Sequence, residues 1–405
     1  MHLFSRNLLP RKSFGLLVLG FIVLSVVIAQ PAFAYKSKIQ ELFDKEMPEF
    51  EKIPEDRFNA ITYEQTDVPF GDNALAYSIR LPEGWKESDS GAISNYNLST
   101  HLLGSIVEYY SPPRLESVRS RFEIKALRLE FELTAEQWLL QHVLGNGYTL
   151  EGLEYYDKNK VGALYVNLKD GETFVTRLIA QINGKRMISA QYVIPAAQWE
   201  KEAALIAQSL DTFELLNPDD SAIEPMYEHM ILDIAKFSYP ASWKLDTQPV
   251  RTVDRISATV SNYNKNHTTL LDGLVEVNLI SAYIASDLKE ELSNIKLDYR
   301  NKGLVIDELI HTIEDFEFHD DVEFGFIDVY KATDTQNKSM DYEVWLGVLA
   351  MDSYYGFVTL MTPSSDSEFF IWSRNTSAFE TMIRSLSLQD NNITIMDDSN
   401  SNDEP

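Results

Sequence analysis

The chain contains no cysteine and has few basic residues for its length. Without cysteine it forms no disulfide, binds no iron–sulfur cluster, holds no thiolate zinc site and has no cysteine nucleophile. Its 35 Lys and Arg residues stand against 62 Asp and Glu residues, a formal net charge of −27 over 405 residues. So acidic a chain excludes a nucleic-acid partner, because it has no basic surface to replace the counterions on phosphates.

Motifs of catalysis and nucleotide binding are absent as well. The sequence contains no G-x-S-x-G, no H-E-x-x-H, no Walker loop and no G-x-G-x-x-G between a strand and a helix. These absences predict a protein that is not an enzyme. A hydrolase assembled from residues far apart in the chain remains an alternative. The hydrophobic share of 44% and the charged share of 24% are ordinary for a folded chain of two or three domains.

Residues 1–34 have the order of a secretory signal peptide. A stretch with three basic residues precedes an apolar run over residues 14–29, and Ala32 and Ala34 form an A-x-A cleavage site. We expect cleavage after Ala34, a periplasmic or secreted location, and no stable membrane insertion after cleavage. Export without cysteine favours a bacterial periplasm, since disulfides are common in eukaryotic secreted proteins.

Several sequence motifs occur twice in the same order. An apolar strand that ends in Pro-x-x-Trp-Lys lies at residues 77–86 and again at 236–244. The tetrapeptide Ser-Asn-Tyr-Asn follows at residues 94–97 and at 261–264. A Leu-Leu-x-x-apolar-Val-Glu strand comes next in both stretches, and both end on Ser-Leu. Repeated motifs in one order indicate an old tandem duplication.

The duplication predicts the organisation of the chain. A charged segment precedes the first copy and has Ile39, Leu42, Phe43 and Met47 on one helical face. A turn-rich linker lies between the two copies. The predicted segments are a signal peptide (1–34), a helical lead (35–60), a first domain (61–216), a linker (217–226), a second domain (227–388) and a disordered acidic tail (389–405).

Strand patterns follow one another in each copy instead of alternating with helices. Thr134 to Gln137 form a capping box that opens a helix. Asn183-Gly184 predicts a hairpin turn between two strands, and Pro195 begins a closing helix. The second copy has a helix from Ser286 to about residue 301 and a closing helix over about 367–385. This order predicts an α+β fold in which helices flank an antiparallel sheet.

The repeated pattern resembles the PsbP-like superfamily. The resemblance rests on the strand ending in Pro-x-x-Trp-Lys, the helix in mid-domain and the closing helix that runs into Ser-Leu. That superfamily includes the photosystem II extrinsic subunit PsbP, the Ran-binding Mog family and bacterial periplasmic proteins of the DcrB type. The resemblance implies two tandem α/β/α sandwich domains. It also implies a non-enzymatic role in assembly or partner binding, and it carries no catalytic residues.

The most acidic stretch of the chain, residues 314–324, alternates aromatic and charged side chains. On a strand this pattern would place Glu317, His319 and Asp321 on one face, with His311 nearby. Oxygen-rich ligands with one imidazole suit Mn, Zn or Ca, so these residues are a candidate metal site. The alternative is a solvated outer face that carries surface charge.

The repeated Ser-Asn-Tyr-Asn is a second candidate. Its Asn95 and Tyr96, and their counterparts Asn262 and Tyr263, could form a partner surface on matched loops. As structure, the same residues would make turn and cap hydrogen bonds.

From the sequence we therefore expect an exported, non-catalytic binding or assembly protein whose partner is another envelope protein. The alternatives are a periplasmic protein that binds a divalent metal through the acidic strand, and a hydrolase without a recognisable motif. No cofactor is expected apart from that metal.

Overall fold

The structure is a computed structural model. It describes residues 38–88, 104–114, 118–246, 254–265, 267, 270–285, 287–335 and 340–389. All of them belong to one compact unit, Ser37–Pro405. The predicted signal peptide and nearly all of the predicted tail lie outside the described residues. Within the described part of the chain, none of the helices combines the length and the apolar composition that a membrane crossing requires.

The first half of the described chain contains four helices and ten strands. In chain order the elements are α1 (Lys38–Phe43), α2 (Glu55–Ile61), β1 (Thr62–Asp67), two single-turn 3-10 helices (Pro69–Gly71 and Asn73–Leu75), β2 (Tyr77–Pro82), β3 (Lys86–Glu87), β4 (Gly104–Tyr110), β5 (Arg121–Arg128), α3 (Ala135–Gly145), β6 (Thr149–Asp157), β7 (Lys160–Lys169), β8 (Glu172–Asn183), β9 (Arg186–Pro195), α4 (Ala196–Leu210) and β10 (Glu214–Leu215).

The second half of the described chain follows a similar order. Its elements are β11 (Met226–Ile231), β12 (Ala235–Pro240), β13 (Lys244–Asp246), β14 (Arg255–Tyr263), β15 (Leu271–Ser281), α5 (Leu288–Asn301), β16 (Leu304–Ile313), β17 (Val322–Asp334), β18 (Asp341–Met351), β19 (Tyr354–Pro363), α6 (Phe369–Ser385) and β20 (Ser387–Leu388).

Each half builds one seven-stranded and one three-stranded sheet from its described residues. The first seven-stranded sheet, called the first sheet below, has the order β3-β4-β5-β9-β8-β7-β6. The second sheet has the order β13-β14-β15-β19-β18-β17-β16, so both place their strands in the same sequence of neighbours. The small sheets are β1-β2-β10 and β11-β12-β20. Every strand pairing in these sheets is antiparallel, which confirms the prediction of antiparallel sheets accompanied by a few helices.

Local chemistry explains several element boundaries. Thr134 accepts a hydrogen bond from the backbone of Gln137, whose side chain bonds back to Thr134, so the predicted capping box is confirmed. Gly184 has φ +56°, and the β8–β9 hairpin turns between Asn183 and Arg186, as the Asn-Gly pair predicted. Gly303, with φ +96°, follows the end of α5 in the position that favours glycine.

The predicted helical lead is helical only in part. Helix α1 ends at Phe43, so Met47 lies beyond it, and the next helix begins at Glu55. Pro48 and Pro54 explain the interruption, because proline lacks an N–H donor and restricts the residue before it. The lead also pairs with the first sheet, since Leu153 of β6 donates its backbone N–H to Lys45 at 2.8 Å in an isolated parallel bridge.

Apolar side chains bury both faces of each sheet. In the first sheet, Tyr192 of β9 shares a cluster with Leu210 of α4, while Leu178 of β8 shares another with Leu139 of α3. In the second sheet, strand side chains such as Val277 pack with Phe379 of α6, and Phe357 packs with the residues of α5. Side chains along each strand alternate between the two faces of the sheet. The apolar side chains on each face therefore hold the helix that packs against that face.

The two halves meet through α3 and α6. Gln137 donates its side-chain amide to the hydroxyl of Thr376 at 3.3 Å and accepts a hydrogen bond from Ser377 at 2.9 Å. The rings of Phe131 and Phe370 stand edge to face with centres 5.1 Å apart. The two halves are thus joined by buried hydrogen bonds between α3 and α6 and by an aromatic contact beside them.

Candidate functional site

The free edge of strand β17 is the most distinctive feature of the second sheet. Strand β17 pairs with β18 from Val322 opposite Met351 onward, but it pairs with β16 only from Ile327 opposite Ile313 onward. Over residues 322–326 it therefore has a strand partner on one side only, among the described residues. Residues 314–321 connect β16 to β17 as a loop instead of continuing the ladder.

This loop corrects the predicted acidic strand. The sequence pattern predicted alternating faces over residues 314–324, but β16 ends at Ile313 and β17 begins at Val322. Two aromatic residues of the stretch still turn inward, because Phe316 and Phe318 pack against the core of the second half. Apolar burial fixes these two side chains even though no strand pairing spans them.

The space between this loop and the free edge is a groove of about 910 Å³, called the edge groove below. This volume lies within the range of roughly 300–1,000 Å³ found for ligand sites. Its lining residues are Thr312, Glu314, Phe316, Phe318, His319, Asp320, Val322, Glu323, Phe324, Gly325, Phe326 and Asp328.

The loop that forms one wall of the edge groove is anchored at several points. The ring of Phe318 stands on Gly325, where a Cβ atom would lie only 2.8 Å from its Cε2. Phe316 packs against Phe318 with ring centres 4.9 Å apart. The guanidinium of Arg384 lies 5.0 Å from the ring centre of Phe316. Gly325 therefore permits a close approach that fixes the wall of the groove.

A hydrogen bond from strand β20 holds the same loop. Asp321 accepts a hydrogen bond from the backbone N–H of Leu388 in β20 at 3.0 Å. The backbone N–H of Val322 donates to the carbonyl oxygen of His319 at 2.9 Å and closes the turn into β17. The wall of the edge groove is thus tied to two other elements of the second half.

The lining of the edge groove is acidic. Glu314, Asp320 and Glu323 are exposed, and their carboxylates form no ion pair or hydrogen bond with the described residues. Asp328 accepts hydrogen bonds from Thr312 at 2.7 Å and from Tyr330 at 2.8 Å. The lining contains no Lys or Arg. A concave surface with charges of one sign concentrates its field, so this groove attracts cations.

An exposed aromatic side chain borders the free edge. Phe324 is 61% exposed, although it lies within β17, and its ring centre is 5.9 Å from that of Phe326. Exposed aromatic rings at the rim of a groove are common at protein interfaces. The groove therefore combines unpaired backbone, negative charge and apolar surface in one place.

The structure does not bring the three predicted metal ligands together. His319 Nδ1 lies 3.4 Å from Asp321 Oδ2 and accepts a hydrogen bond from the backbone of Asp321 at 3.2 Å. Glu317 lies in the same loop but contacts neither of them, and His311 packs against Trp345 in the next part of the sheet. Among the described residues, no three His, Asp or Glu side chains are grouped as a metal site would need.

The repeated tetrapeptide has a structural setting in the second half. Asn262 lies in strand β14, is 1% exposed, and donates its side-chain amide to Asn375 at 2.9 Å. Asn375 in turn donates to the carbonyl oxygen of Asp272 at 2.7 Å. Tyr263 is half-buried, with Lys244 Nζ 5.8 Å from its ring centre. The buried amide of Asn262 therefore faces the core of the domain and not a partner.

The matching residues Asn95 and Tyr96 of the first copy lie outside the described residues.

Sequence reasoning missed the free edge itself and the roles of Glu323, Phe324 and Gly325. The acidic and aromatic composition of the stretch was visible in the sequence. The unpaired backbone was not, because it depends on where β16 stops pairing with a strand that comes later in the chain.

No family model matches this chain, and no curated protein matches it. Among solved structures, the Ran-binding protein Mog1p of Saccharomyces cerevisiae is 9% identical, with 38% of this chain and 97% of that chain covered and a TM-score of 0.28. The cyanobacterial PsbP of Synechocystis is 11% identical, covers 38% of this chain and 93% of its own, and has a TM-score of 0.24.

The immunity protein TplEi of T6SS from Pseudomonas aeruginosa is 11% identical, with 77% of this chain and 94% of that chain covered and a TM-score of 0.22. Mog1p and PsbP are members of the groups that the sequence motifs resemble. At TM-scores below 0.5, none of these similarities identifies this chain or its activity.

Proposed function

We propose that this chain is an exported, non-catalytic binding protein of the bacterial cell envelope that captures a protein partner in the edge groove. The observation that carries the proposal is the free edge of β17 over residues 322–326, beside unpaired carboxylates and the exposed ring of Phe324. Sheet edges with these properties are ready-made sites for another chain, because they offer backbone donors and acceptors together with apolar contact.

The architecture proposed with this function is a tandem pair of PsbP-like α/β/α sandwich domains. Its support is the shared strand order of the two seven-stranded sheets and the repeated sequence motifs. A duplication lets one copy retain the fold while the other acquires a binding edge. The β6–β7 hairpin of the first sheet is tight, with Asp157 opposite Lys160, whereas the corresponding β16–β17 connection is the loop that opens the groove.

Site-specific crosslinking in a periplasmic extract tests this function. The chain from Tyr35 to Pro405 would carry benzoylphenylalanine at Phe324, and the control would carry it at Leu168, which is 72% exposed on the first sheet. We expect a defined envelope protein to be crosslinked from position 324 and not from position 168. No defined adduct at position 324, or equal adducts at both positions, would contradict a binding role for the groove.

A further inference from the structure

The unpaired stretch of β17 has the dimensions of a short strand site. Residues 322–326 span about 13 Å at the usual rise of about 3.3 Å per residue. One side of this stretch already pairs with β18, so its backbone is held in strand conformation before anything binds. A backbone fixed in this way loses little entropy when a second strand is added.

The molecule itself shows how an open edge of such a sheet can be covered. In the first sheet, β6 is the outer strand, and the extended lead pairs with it through Glu46 and Leu153. Lys45 also donates its side-chain ammonium group to the carbonyl oxygen of Leu150. An extended segment with a basic side chain therefore already binds at one sheet edge of this chain.

Charge determines what kind of segment fits the edge groove. Three carboxylates of its lining, those of Glu314, Asp320 and Glu323, are exposed and have no partner among the described residues. Asp315 and Glu317 add two more exposed carboxylates on the same loop. An occupant that carries Lys or Arg would pair with these groups, while an acidic occupant would be repelled.

We propose that the edge groove binds an extended, Lys- or Arg-rich segment of a protein partner, which adds a strand to the second sheet alongside residues 322–326. Main-chain hydrogen bonds to β17 provide affinity, the carboxylates select basic side chains, and Phe324 contacts apolar residues between them. This proposal deepens the proposed function, on which it rests, by naming the partner's chemistry.

The chain's own C-terminal segment is the competing occupant. Leu388 bonds to Asp321 beside the groove, and residues 389–405 continue from there. That segment contains Asp390, Asp397, Asp398, Asp403 and Glu404 and no basic residue. Its charge has the same sign as the groove, so electrostatics favour a basic segment from another protein.

Hydrogen–deuterium exchange with a defined peptide tests the proposal. The probe is a peptide of about six residues with alternating Lys and Val, added to the full chain. We expect amide exchange over residues 322–326 to slow about tenfold at saturation, with no change over β7 of the first sheet. A peptide of alternating Glu and Val should give no protection. Protection elsewhere, or none with the Lys peptide, would overturn the proposal.

Two further measurements separate strand addition from simple charge attraction. N-methylation of alternate residues along one edge of the Lys peptide removes its donors and should weaken binding about tenfold or more, whereas methylation along the other edge should not. Equal loss for both methylated peptides, or no loss, would show that the peptide does not bind as a strand.

Charge-reversal variants locate the site. Asp320→Lys with Glu323→Lys should weaken binding of the Lys peptide about tenfold, with less effect at high salt. The matched control, Glu151→Lys with Glu172→Lys, reverses two exposed carboxylates on the first sheet and should leave binding unchanged. Equal loss in both variants would attribute binding to net charge and contradict a site in the groove.

The outcomes distinguish this proposal from the proposed function. Crosslinking from position 324 without peptide protection of residues 322–326 would retain a binding role but reject strand addition. Protection of residues 322–326 in the free protein that is lost in Ile393→Lys with Ile395→Lys would make the chain's own C-terminal segment the occupant and overturn the basic partner.

Discussion

Individual residues of this molecule show how burial and close approach determine what a side chain can do. Asn262 was a candidate for partner binding, yet it is buried and bonded to Asn375. Gly325 and Gly273 carry no side chain, and each leaves room for a ring or an amide that holds a neighbouring element. The sequence therefore tells which chemical groups a residue carries, but the atoms packed against the residue determine its role.

Gly273→Ala tests the buried amide network. A Cβ atom at this position would clash with Nδ2 of Asn375, a side chain that is completely buried. We expect a loss of about 2 kcal/mol in the free energy of unfolding, measured by urea denaturation. The control Gly145→Ala meets no atom within 4 Å at the end of α3 and should be neutral or slightly stabilising. Equal effects of both changes would contradict this account.

Glu136 gives a pH dependence to the first turn of α3. Burial raises its pKa from the ordinary value near 4.5 to about 7. Between these two pH values the folded chain binds more protons than the unfolded chain, so stability falls as pH rises through this window. We expect Glu136→Gln to stabilise the chain by about 1 kcal/mol at pH 8, allowing for partial exposure, and to have little effect at pH 4.

Urea denaturation at both pH values measures this difference, with Glu151→Gln on an exposed position as the control. A gain of equal size at pH 4 and pH 8 would show that the charge of Glu136 is not its cause.

At the scale of elements, corresponding strands of the two halves are connected differently. The β6–β7 hairpin turns tightly, while the β16–β17 connection is an anchored loop that leaves part of β17 unpaired. The lead segment bridges to β6 in the first sheet. In the second sheet, β18 pairs with residues 322–326 of β17 on one side, and no described segment pairs with them on the other side. A difference of a few residues in a connection thus converts a closed edge into an open one.

Phe318→Ala tests the anchoring of this loop. The ring of Phe318 stands on Gly325 and against Phe316, so its removal leaves the loop without its main apolar contact. We expect amide exchange over residues 314–321 to become about tenfold faster while β18 is unchanged. The control Phe324→Ala removes an exposed ring of the same type and should not alter exchange in the loop. Unchanged exchange in the Phe318 variant would contradict the anchoring.

At the scale of the whole molecule, the α3–α6 junction makes one compact unit of the described residues. Gln137 bonds to Thr376 and Ser377 across it, and Phe131 packs against Phe370. The formal charge of the chain is −27, and the edge groove has the same sign because carboxylates and no Lys or Arg line it. A partner bound to the second half would therefore bind a compact unit that also contains the first half.

Phe131→Ala tests this coupling. Removal of the ring takes away its contacts with Phe370 and with the guanidinium of Arg374, 5.2 Å from the ring centre. We expect the free energy of unfolding to fall by about 1–2 kcal/mol for β8 and β18 alike, measured by amide exchange in both. Leu168→Ala, at an exposed position, is the control. A loss confined to β8 would show that the halves unfold independently.

The sequence by itself determined local structure and the antiparallel character of the sheets. Capping residues, the Asn-Gly turn and apolar alternation act over a few residues, so the helix α3, the β8–β9 hairpin and the antiparallel sheets were predictable. The acidic and aromatic character of residues 314–324 was equally visible, since it is composition.

Only the tertiary structure decided what that composition does. The loop of residues 314–321 is held in part by Arg384 and Leu388, which lie far from it in the chain and meet it only after folding. The same long-range pairing left residues 322–326 with a strand neighbour on one side only. Among the described residues, Glu317, His319 and Asp321 do not form a metal-ligand group. Strand pairing is a contact between segments that are distant in the chain. The local sequence therefore does not determine where such pairing is absent, and only the tertiary structure shows it.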